Sequence, residues 1–261
     1  MTEVQLFSTC LAEEFFPEVN DAAATVLERL RLKVTPVRGA FCCGQVAFNE
    51  GMREEAVELA RRFLDSVEPN IPIVVPSGSC TSMLKIFYGD LLAGDPALVA
   101  KANAIRPWIF EFSQFIVNVL KVKYLGARYE RAVAYHPSCH LMRELGVREE
   151  PMMLLSAIGG IKIRELRDRE ECCGFGGMFS VKFPHISASM LEDKMTRIKE
   201  SGAEVVVAND CGCLMQIGGG LSRAGAKIET RHLAQVLHFQ HVDDELRELE
   251  YPGSDRIRLR N

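Results

Sequence analysis

Hydrophobic residues along the chain fall into short extended runs that alternate with stretches of helical period. The extended runs predict strands at residues 3–9, 33–37, 71–75, 131–135, 161–166 and 204–208. Apolar positions three or four residues apart predict helices at 17–30, 50–67, 107–120, 150–158, 185–201 and 231–240. Strands that alternate with helices in this way indicate parallel sheets joined by right-handed crossovers.

The order of these elements restarts near the middle of the chain. We therefore expect an α/β protein of two tandem, pseudo-symmetric three-layer domains, each with a mostly parallel sheet. Residues 121–130 are polar and contain Gly126, so they mark the boundary between a first domain at 1–125 and a second at 126–245. Residues 246–261 are expected to form a C-terminal tail, loose from Tyr251 onward because proline, glycine and charged residues follow.

Eight of the nine cysteines repeat one layout in the two halves. The first set is Cys10, Cys42, Cys43 and Cys80, and the second, at a nearly constant offset along the chain, is Cys139, Cys172, Cys173 and Cys213. Each adjacent pair precedes a glycine, and every member of both sets comes after a predicted strand. Because the carboxyl ends of parallel strands gather at one sheet edge, each set of four cysteines is expected to meet there.

Composition and charge narrow the class of protein. A hydrophobic content of 48% and a charged content of 25% are typical of soluble globular proteins. A net charge of -4 without a Lys/Arg cluster argues against a nucleic-acid partner. No apolar run reaches the roughly 20 residues of a membrane span, and the N-terminus lacks a secretory signal. We therefore expect a cytoplasmic protein whose thiols stay reduced.

Reduced thiols clustered in this way fit three kinds of site. An iron-sulfur cluster is usually held by four thiolates, whereas zinc sites usually use closely spaced cysteine pairs and dithiol redox sites a C-x-x-C motif. The spacings favour a cluster, with zinc in one half as the remaining option. Cysteines that act only as small buried hydrophobes would not repeat a layout. Cys211 has no counterpart, since Gly78 occupies the matching position, and is expected to be incidental.

The motifs around these cysteines resemble a known cysteine-rich domain. It is shared by heterodisulfide reductase and by the iron-sulfur subunits of glycolate oxidase and of anaerobic glycerol-3-phosphate dehydrogenase. Across residues 3–240 the chain resembles in particular the lactate-utilisation protein A family, (Fe-S)-binding oxidoreductases built of two such CCG domains. The segments that carry the resemblance are 8–11, 16–19, 42–45, 76–80, 136–140, 172–177 and 213–215.

This resemblance implies a cytoplasmic iron-sulfur electron-transfer subunit of a complex that oxidises L-lactate to pyruvate and enables growth on lactate. The eight repeated cysteines would ligate a [4Fe-4S] cluster in one or both halves, with zinc possible in one, and no catalytic side chain is implied. No flavin or nicotinamide motif is present, so partners are expected: a ferredoxin-type iron-sulfur subunit and a third small protein. The alternatives are a thiol-disulfide reductase of the heterodisulfide reductase type and a zinc-stabilised scaffold.

One departure from the wider family pattern concerns the end of each half. That pattern ends in C-x-x-C, but the first cysteine of the pair is Ser77 in one half and Asp210 in the other. Four thiolates in each half suit an ordinary [4Fe-4S] cluster, whereas the five-cysteine clusters of heterodisulfide reductase would lack a ligand.

Side chains near the second cysteine set predict two unequal sites. His136 and His140 flank Cys139 and are candidates to bind metal, to hydrogen-bond a cluster sulfur, or to cap secondary structure. Together with Asp210 and Cys211 they predict a second site that is more reactive or more open to solvent. The alternative for Asp210 is that it caps the helix that follows.

Glycines and the remaining histidines have simpler interpretations. Gly44, Gly78 and the glycines at 174, 176 and 177 are expected where backbone approaches the bound cluster. Residues 218–220 are predicted to form a helix C-cap and turn. His185 and His232 stand at predicted helix starts and are interpreted as structural or surface residues.

Overall fold

Two four-stranded parallel sheets organise the chain in the computed structural model, which describes residues 1–238. The predicted tail at 246–261 and the ends of the predicted second domain and last helix lie outside the described residues. The first sheet contains β1 (Glu3–Leu6), β2 (Lys33–Pro36), β3 (Ile73–Val75) and β4 (Ile109–Glu111). The second contains β5 (Ala132–His136), β6 (Lys162–Arg164), β7 (Val205–Ala208) and β8 (Glu229–His232).

Helices connect the strands in both halves. The first half contains α1 (Cys10–Phe15), α2 (Pro17–Arg29), α3 (Gln45–Asn49), α4 (Arg53–Ser66), α5 (Gly78–Ser82), α6 (Tyr88–Leu91), α7 (Pro96–Ile105) and α8 (Phe112–Gln114). The second contains α9 (Cys139–Arg143), α10 (Glu150–Ser156), α11 (Phe179–Lys182), α12 (Pro184–Ser201), α13 (Cys211–Arg223) and α14 (Leu233–His238). Turns of π-helix at Met83–Phe87 and Phe115–Val119 extend α5 and α8, and a 3-10 turn at Arg106–Trp108 precedes β4. No helix among residues 1–238 is long and apolar enough to cross a membrane.

The two sheets have the same topology. The strand order is β2-β1-β3-β4 in the first sheet and β6-β5-β7-β8 in the second, with every pairing parallel. The predicted α/β class and the pseudo-symmetric pair of halves are therefore confirmed, while the domain boundaries at 125 and 245 stay predictions.

Alternate residues of the central strands face opposite cores. In β7, Val205 and Val207 point into a large central core and Val206 points into an outer one. The central core also takes residues from β1, β3 and β5 and from α2 and α14, which pack together. Since strands buried on both faces read as continuous apolar runs, the hydrophobic pattern located them well. The shared central core holds the two cysteine-bearing sheet edges in a fixed relation.

The fourth strand of each half was not predicted. The predicted helix at 107–120 contains β4 before α8, and the predicted helix at 231–240 begins within β8. β4 is three residues long, and periodicity cannot separate so short a run from a helical turn. β8 consists of the polar residues Glu229–His232, so it has no hydrophobic pattern that would mark it as a strand.

The predicted C-cap at 218–220 is also wrong, because these glycines lie inside α13. A Cβ on Gly218 would meet Thr230, and one on Gly220 would meet Met195 and Leu191. They allow α13 to pack closely against its neighbours.

Candidate metal centre

The first cysteine set meets at the sheet edge as predicted. Cys10 begins α1 after β1, Cys42 and Cys43 lie in the loop after β2, and Cys80 lies in α5 after β3. Because β2, β1 and β3 are neighbours, the thiols form a chain of contacts from Cys10 through Cys42 and Cys43 to Cys80. Hydrogen bonds from Cys10 and Cys43 lower the pKa of Cys42, and the same bonds raise the pKa of both donors.

The second cysteine set repeats this arrangement. Contacts run from Cys139, the first residue of α9, through Cys172 and Cys173 in the loop after β6, to Cys213 in the first turn of α13. Hydrogen bonds from Cys139 and Cys173 lower the pKa of Cys172. A contact with Cys173 and the neighbouring imidazole of His136 lower the pKa of Cys213 to about 6, although burial opposes this. Cys213 is half-buried, whereas Cys80 is buried.

Matched glycines fix both adjacent cysteine pairs. Gly44 and Gly174 each have a φ of 85°, and each backbone N–H donates to the Sγ of the first cysteine of its pair over 3.4 Å. A Cβ on Gly44 would lie 3.3 Å from the carbonyl oxygen of Ala56, and one on Gly174 would lie 2.7 Å from that of Ser187. The left-handed backbone and the packing helix explain why glycine follows each pair.

One cavity of about 200 Å³ lies between the two halves and is lined by all nine cysteines. Its wall also contains Ser77, Ser79 and Asp210. The cavity therefore places the two cysteine sets opposite each other in a single shared site.

The two positions that depart from the C-x-x-C pattern bind each other across this cavity. The hydroxyl of Ser77 donates to Oδ1 of Asp210 over 2.9 Å. The hydroxyl and the backbone N–H of Ser79 also donate to this carboxylate, at 2.6 and 3.0 Å. Asp210 makes no side-chain cap on α13, so the predicted cap is wrong. Instead its carboxylate ties the loop after β7 to the loop after β3.

Gly78 belongs to the same junction. A Cβ at this position would lie 2.6 Å from Leu141 Cβ and 3.1 Å from Oδ2 of Asp210, both in the second half. The close approach that requires glycine here is thus between the halves, which corrects the interpretation that Gly78 faces a ligand. A Cβ on Gly176 would meet the Phe179 side chain of the same segment, whereas the group nearest to one on Gly177 is Val46 of the first half, at 3.7 Å. Both glycines line the cavity.

A second polar junction, which sequence reasoning missed, lies beside Asp210. Nδ2 of Asn209 donates to Oε1 of Glu111 over 2.8 Å, and the hydroxyl of Tyr135 donates to Oδ1 of Asn209 over 3.0 Å. Glu111 also accepts from the backbone N–H groups of Ser113 and Gln114, capping α8. Burial raises the pKa of Glu111 to about 7, against the effect of these hydrogen bonds.

His136 is the histidine that the structure brings to the thiols. It ends β5, is fully buried, and has no oxygen or nitrogen partner at Nδ1 or Nε2, while its imidazole contacts the thiol of Cys213. Among residues 1–238, the one group of three metal-ligand atoms all within 4.8 Å of one another belongs to His136, Cys173 and Cys213.

The other predicted candidates stand further from this group. His140 lies between Glu144, 3.2 Å from its Nδ1, and the side chain of Gln45. Cys211 is buried against Ala12 and Val19 but also lines the cavity. His185 is exposed at the start of α12, while His232 is buried at the end of β8, where its Nδ1 accepts from the N–H of Ala234.

The donor set of each half fits an iron-sulfur cluster. Four thiols from three loops supply the usual number of ligands, and a backbone N–H already points at one sulfur in each set. The imidazole of His136, beside Cys173 and Cys213, adds a fifth donor in the second half.

Comparisons with known proteins agree with this donor set. A family model described as a cysteine-rich domain, CCG, matches residues 4–85 and 133–218. Lactate utilization protein A of Shouchella clausii is 43% identical over 235 residues, which cover 90% of this chain and 98% of that protein. The protein of the same name from Bacillus subtilis is 42% identical over 236 residues, covering 90% and 99%. A glutamate racemase structure from Bacillus anthracis aligns over 91% of this chain and 78% of its own, with 9% sequence identity and a TM-score of 0.33.

Proposed function

The chain belongs to the lactate utilization protein A family, and from this premise we propose that it is the iron-sulfur electron-transfer component of a complex that oxidises L-lactate to pyruvate. The observation that carries the proposal is the pair of matched four-thiol sets that face one cavity. Redox centres on opposite walls of a small cavity are suited to passing electrons between them or to a common partner.

The residues of each half have distinct roles in this proposal. Cys10, Cys42, Cys43 and Cys80 would hold one cluster, and Cys139, Cys172, Cys173 and Cys213 would hold either a second cluster or a metal ion such as zinc. A [4Fe-4S] cluster, when bound, supplies one-electron transfer. The N–H groups of Gly44 and Gly174 donate to ligand sulfurs, which stabilises the more negative, reduced state. The Asp210 bridge to Ser77 and Ser79 holds the two ligand loops at a constant separation.

Partners are part of the proposal because lactate oxidation removes two electrons. No flavin or nicotinamide motif occurs in the sequence, and iron-sulfur centres transfer electrons singly. A ferredoxin-type iron-sulfur subunit and a third small protein would complete the complex. The complex would act in the cytoplasm, the location expected from the sequence, where thiols stay reduced.

Anaerobic purification of the full chain tests the proposal directly. The protein should be brown, with broad charge-transfer absorption and about four irons per cluster. Mixed with its two partners, it should be bleached by lactate, and glycolate and glycerol 3-phosphate serve as control substrates. Colourless protein without iron, or clusters that lactate cannot reduce in the complete complex, would rule the proposal out.

The second candidate is a thiol-disulfide reductase, which the shared cavity favours because a substrate disulfide there would touch both cysteine sets. Ser77 and Asp210 at the positions of the missing cysteines argue against it. Reduction of a mixed disulfide by the isolated, pre-reduced protein would support this candidate. Turnover with lactate but none with disulfides would exclude it.

A further inference from the structure

His136 has the features of a ligand rather than of a structural residue. Its side chain is fully buried, and neither ring nitrogen has an oxygen or nitrogen partner. The group that the imidazole contacts is the thiol of Cys213. Buried polar atoms are nearly always paired, because an unpaired one loses its hydration without compensation. Ser138, not His136, stands at the N-cap position of α9, so the imidazole has no capping role there. One thiol can pair with only one of the two ring nitrogens, so something that the protein binds is needed to satisfy the other.

The nearest partners of the imidazole are thiols. A ring nitrogen of His136 and the sulfurs of Cys173 and Cys213 lie within 4.8 Å of one another. In a tetrahedral site with bonds of about 2.0–2.3 Å, ligand atoms are separated by roughly 3.3–3.8 Å. A small contraction around one ion would therefore bring all three donors into bonding range. Cys172, in contact with Cys173, is available as a fourth donor.

The first half has no equivalent of this imidazole. By the offset that relates Cys10 to Cys139, the position of His136 corresponds to Phe7. Phe7 is also fully buried, and its ring packs edge-on against Phe63 with centroids 5.0 Å apart. The first site therefore offers only sulfur, whereas the second offers sulfur and nitrogen.

We propose that His136 is a nitrogen ligand of the second site, which binds a divalent metal ion through His136, Cys173 and Cys213. The two halves are then chemically different centres, one with sulfur ligands alone and one with mixed ligands. Replacing thiolate by imidazole lowers the negative charge around a metal and shifts its preference between metals and oxidation states. The inference concerns the metal site of the proposed function but requires neither lactate nor electron transfer.

Zinc alone is the probe that tests this ligand set. The full chain is stripped of metal and carries Cys42→Ser and Cys43→Ser, so that zinc binds the second half. X-ray absorption at the zinc edge should show a nitrogen shell at about 2.0–2.1 Å beside sulfur at about 2.3 Å. His136→Phe, which copies the first half, should remove the nitrogen shell and weaken zinc binding at least tenfold.

Two further variants separate ligation from packing. His136→Cys should restore zinc affinity with an all-sulfur shell, which a merely structural side chain would not allow. His140→Phe, on the other side of Cys139, should leave both the shell and the affinity unchanged. If His136→Phe does not fold, loss of the nitrogen shell in His136→Cys with zinc retained supports the proposal equally.

Three results would overturn it: a sulfur-only shell in the parent protein, a nitrogen shell that persists in His136→Phe or His136→Cys, or loss of the nitrogen shell in His140→Phe. These outcomes are independent of the proposed function. Failure of lactate to reduce the clusters would leave the zinc result standing, and a sulfur-only shell would leave lactate-dependent reduction standing.

Discussion

The two halves hold the same thiols in the same backbone geometry but support them with different side chains. Gly44 faces Ala56 and Gly174 faces Ser187, so Ala56 on α4 corresponds to Ser187 on α12. By the offset between these two positions Phe63, which packs on Phe7, corresponds to Lys194.

Two aromatic rings, Phe7 and Phe63, thus pack behind the thiols of the first site. The matching positions in the second half are the imidazole of His136 and the amine of Lys194. Lys194 is 1% exposed, and its Nζ donates to the carbonyl oxygens of Asp168 and Arg169, just before the second cysteine pair. Burial lowers its pKa. Duplication kept the residues that determine where the thiols lie and varied those that determine polarity around them. The second half is therefore the one whose chemistry can be tuned by charge and hydrogen bonding.

The largest expected effect comes from removing one central thiol in each half. Cys43→Ser and Cys173→Ser, both buried, should each lose the metal of their own half. If the second site is the more reactive, Cys173→Ser abolishes lactate-dependent electron transfer and Cys43→Ser leaves a fraction. Iron content and cluster reduction by lactate measure the two effects. Equal loss of activity, or loss with Cys43→Ser alone, would show that the halves do not differ in this way.

A second prediction compares the side chains behind the thiols in metal-free protein. Phe7→His should reduce the free energy of unfolding by about 3–5 kcal/mol, because a core ring contact is lost and an unpaired imidazole is buried. His136→Phe should change it by less than about 2 kcal/mol, since tighter packing is offset by removal of a buried imidazole whose only pairing is with the Cys213 thiol. Denaturant unfolding of both variants checks the difference. If both variants lost similar free energy of unfolding, the side chains at positions 7 and 136 would contribute alike to the packing behind the two sites.

The junction between the halves gives a third prediction. Asp210→Ala leaves the hydroxyl of Ser77 and two donors of Ser79 without an acceptor, which should cost about 2–4 kcal/mol of stability. Asp210→Asn keeps one acceptor oxygen and should lose about half as much. Because the central core is shared, unfolding should remain a single transition in calorimetry. One hydrogen bond contributes at least about 0.5 kcal/mol to stability. If Asp210→Ala lowered the free energy of unfolding by less than this, the bridge would not stabilise the junction.

The sequence predicted that the cysteines of each set meet, because the determinants of that placement are local. Each thiol follows a strand, and parallel strands with regular crossovers leave little freedom in where their carboxyl ends meet. The repeat of Cys42 and Cys43 as Cys172 and Cys173 then located both sites. The same reasoning could not show that the two sites face one cavity, because that depends on how α2 and α14 pack between the sheets.

Contacts between the halves were predicted least well. Asp210 was expected to act on its own half, yet its partners are Ser77 and Ser79 in the other half. Glu111 was missed, although an acidic residue inside the apolar run at 109–112 was a signal that a buried partner existed. Its partner Asn209 lies 98 residues away, a separation that no local pattern reports.

The smallest expected effect concerns the residues that end the fourth strand of each half. Glu111 caps α8 and His232 caps α14, and both are fully buried. Burial raises the pKa of Glu111 from 4.5 to about 7 and lowers the pKa of His232 from 6.5 to about 4. The stabilisation from Glu111 is therefore complete below about pH 4.5 and is lost as the pH rises toward 7. That from His232 is complete above about pH 6.5 and is lost as the pH falls toward 4.

These opposite slopes should nearly cancel between pH 4.5 and 6.5 in the unaltered protein. In Glu111→Gln only the pH-dependent contribution of His232 remains. The free energy of unfolding should therefore rise with pH across this range by about 1–3 kcal/mol relative to the parent. His232→Asn keeps a capping oxygen but removes the imidazole, so stability should fall with pH by a similar amount. Urea unfolding of metal-free protein across this range measures both slopes, and titrations common to all variants drop out of the differences. If stability changed with pH in the same direction in both variants, folding would not favour a protonated Glu111 and a neutral His232. The contrast between the halves would then be confined to the cysteine sites.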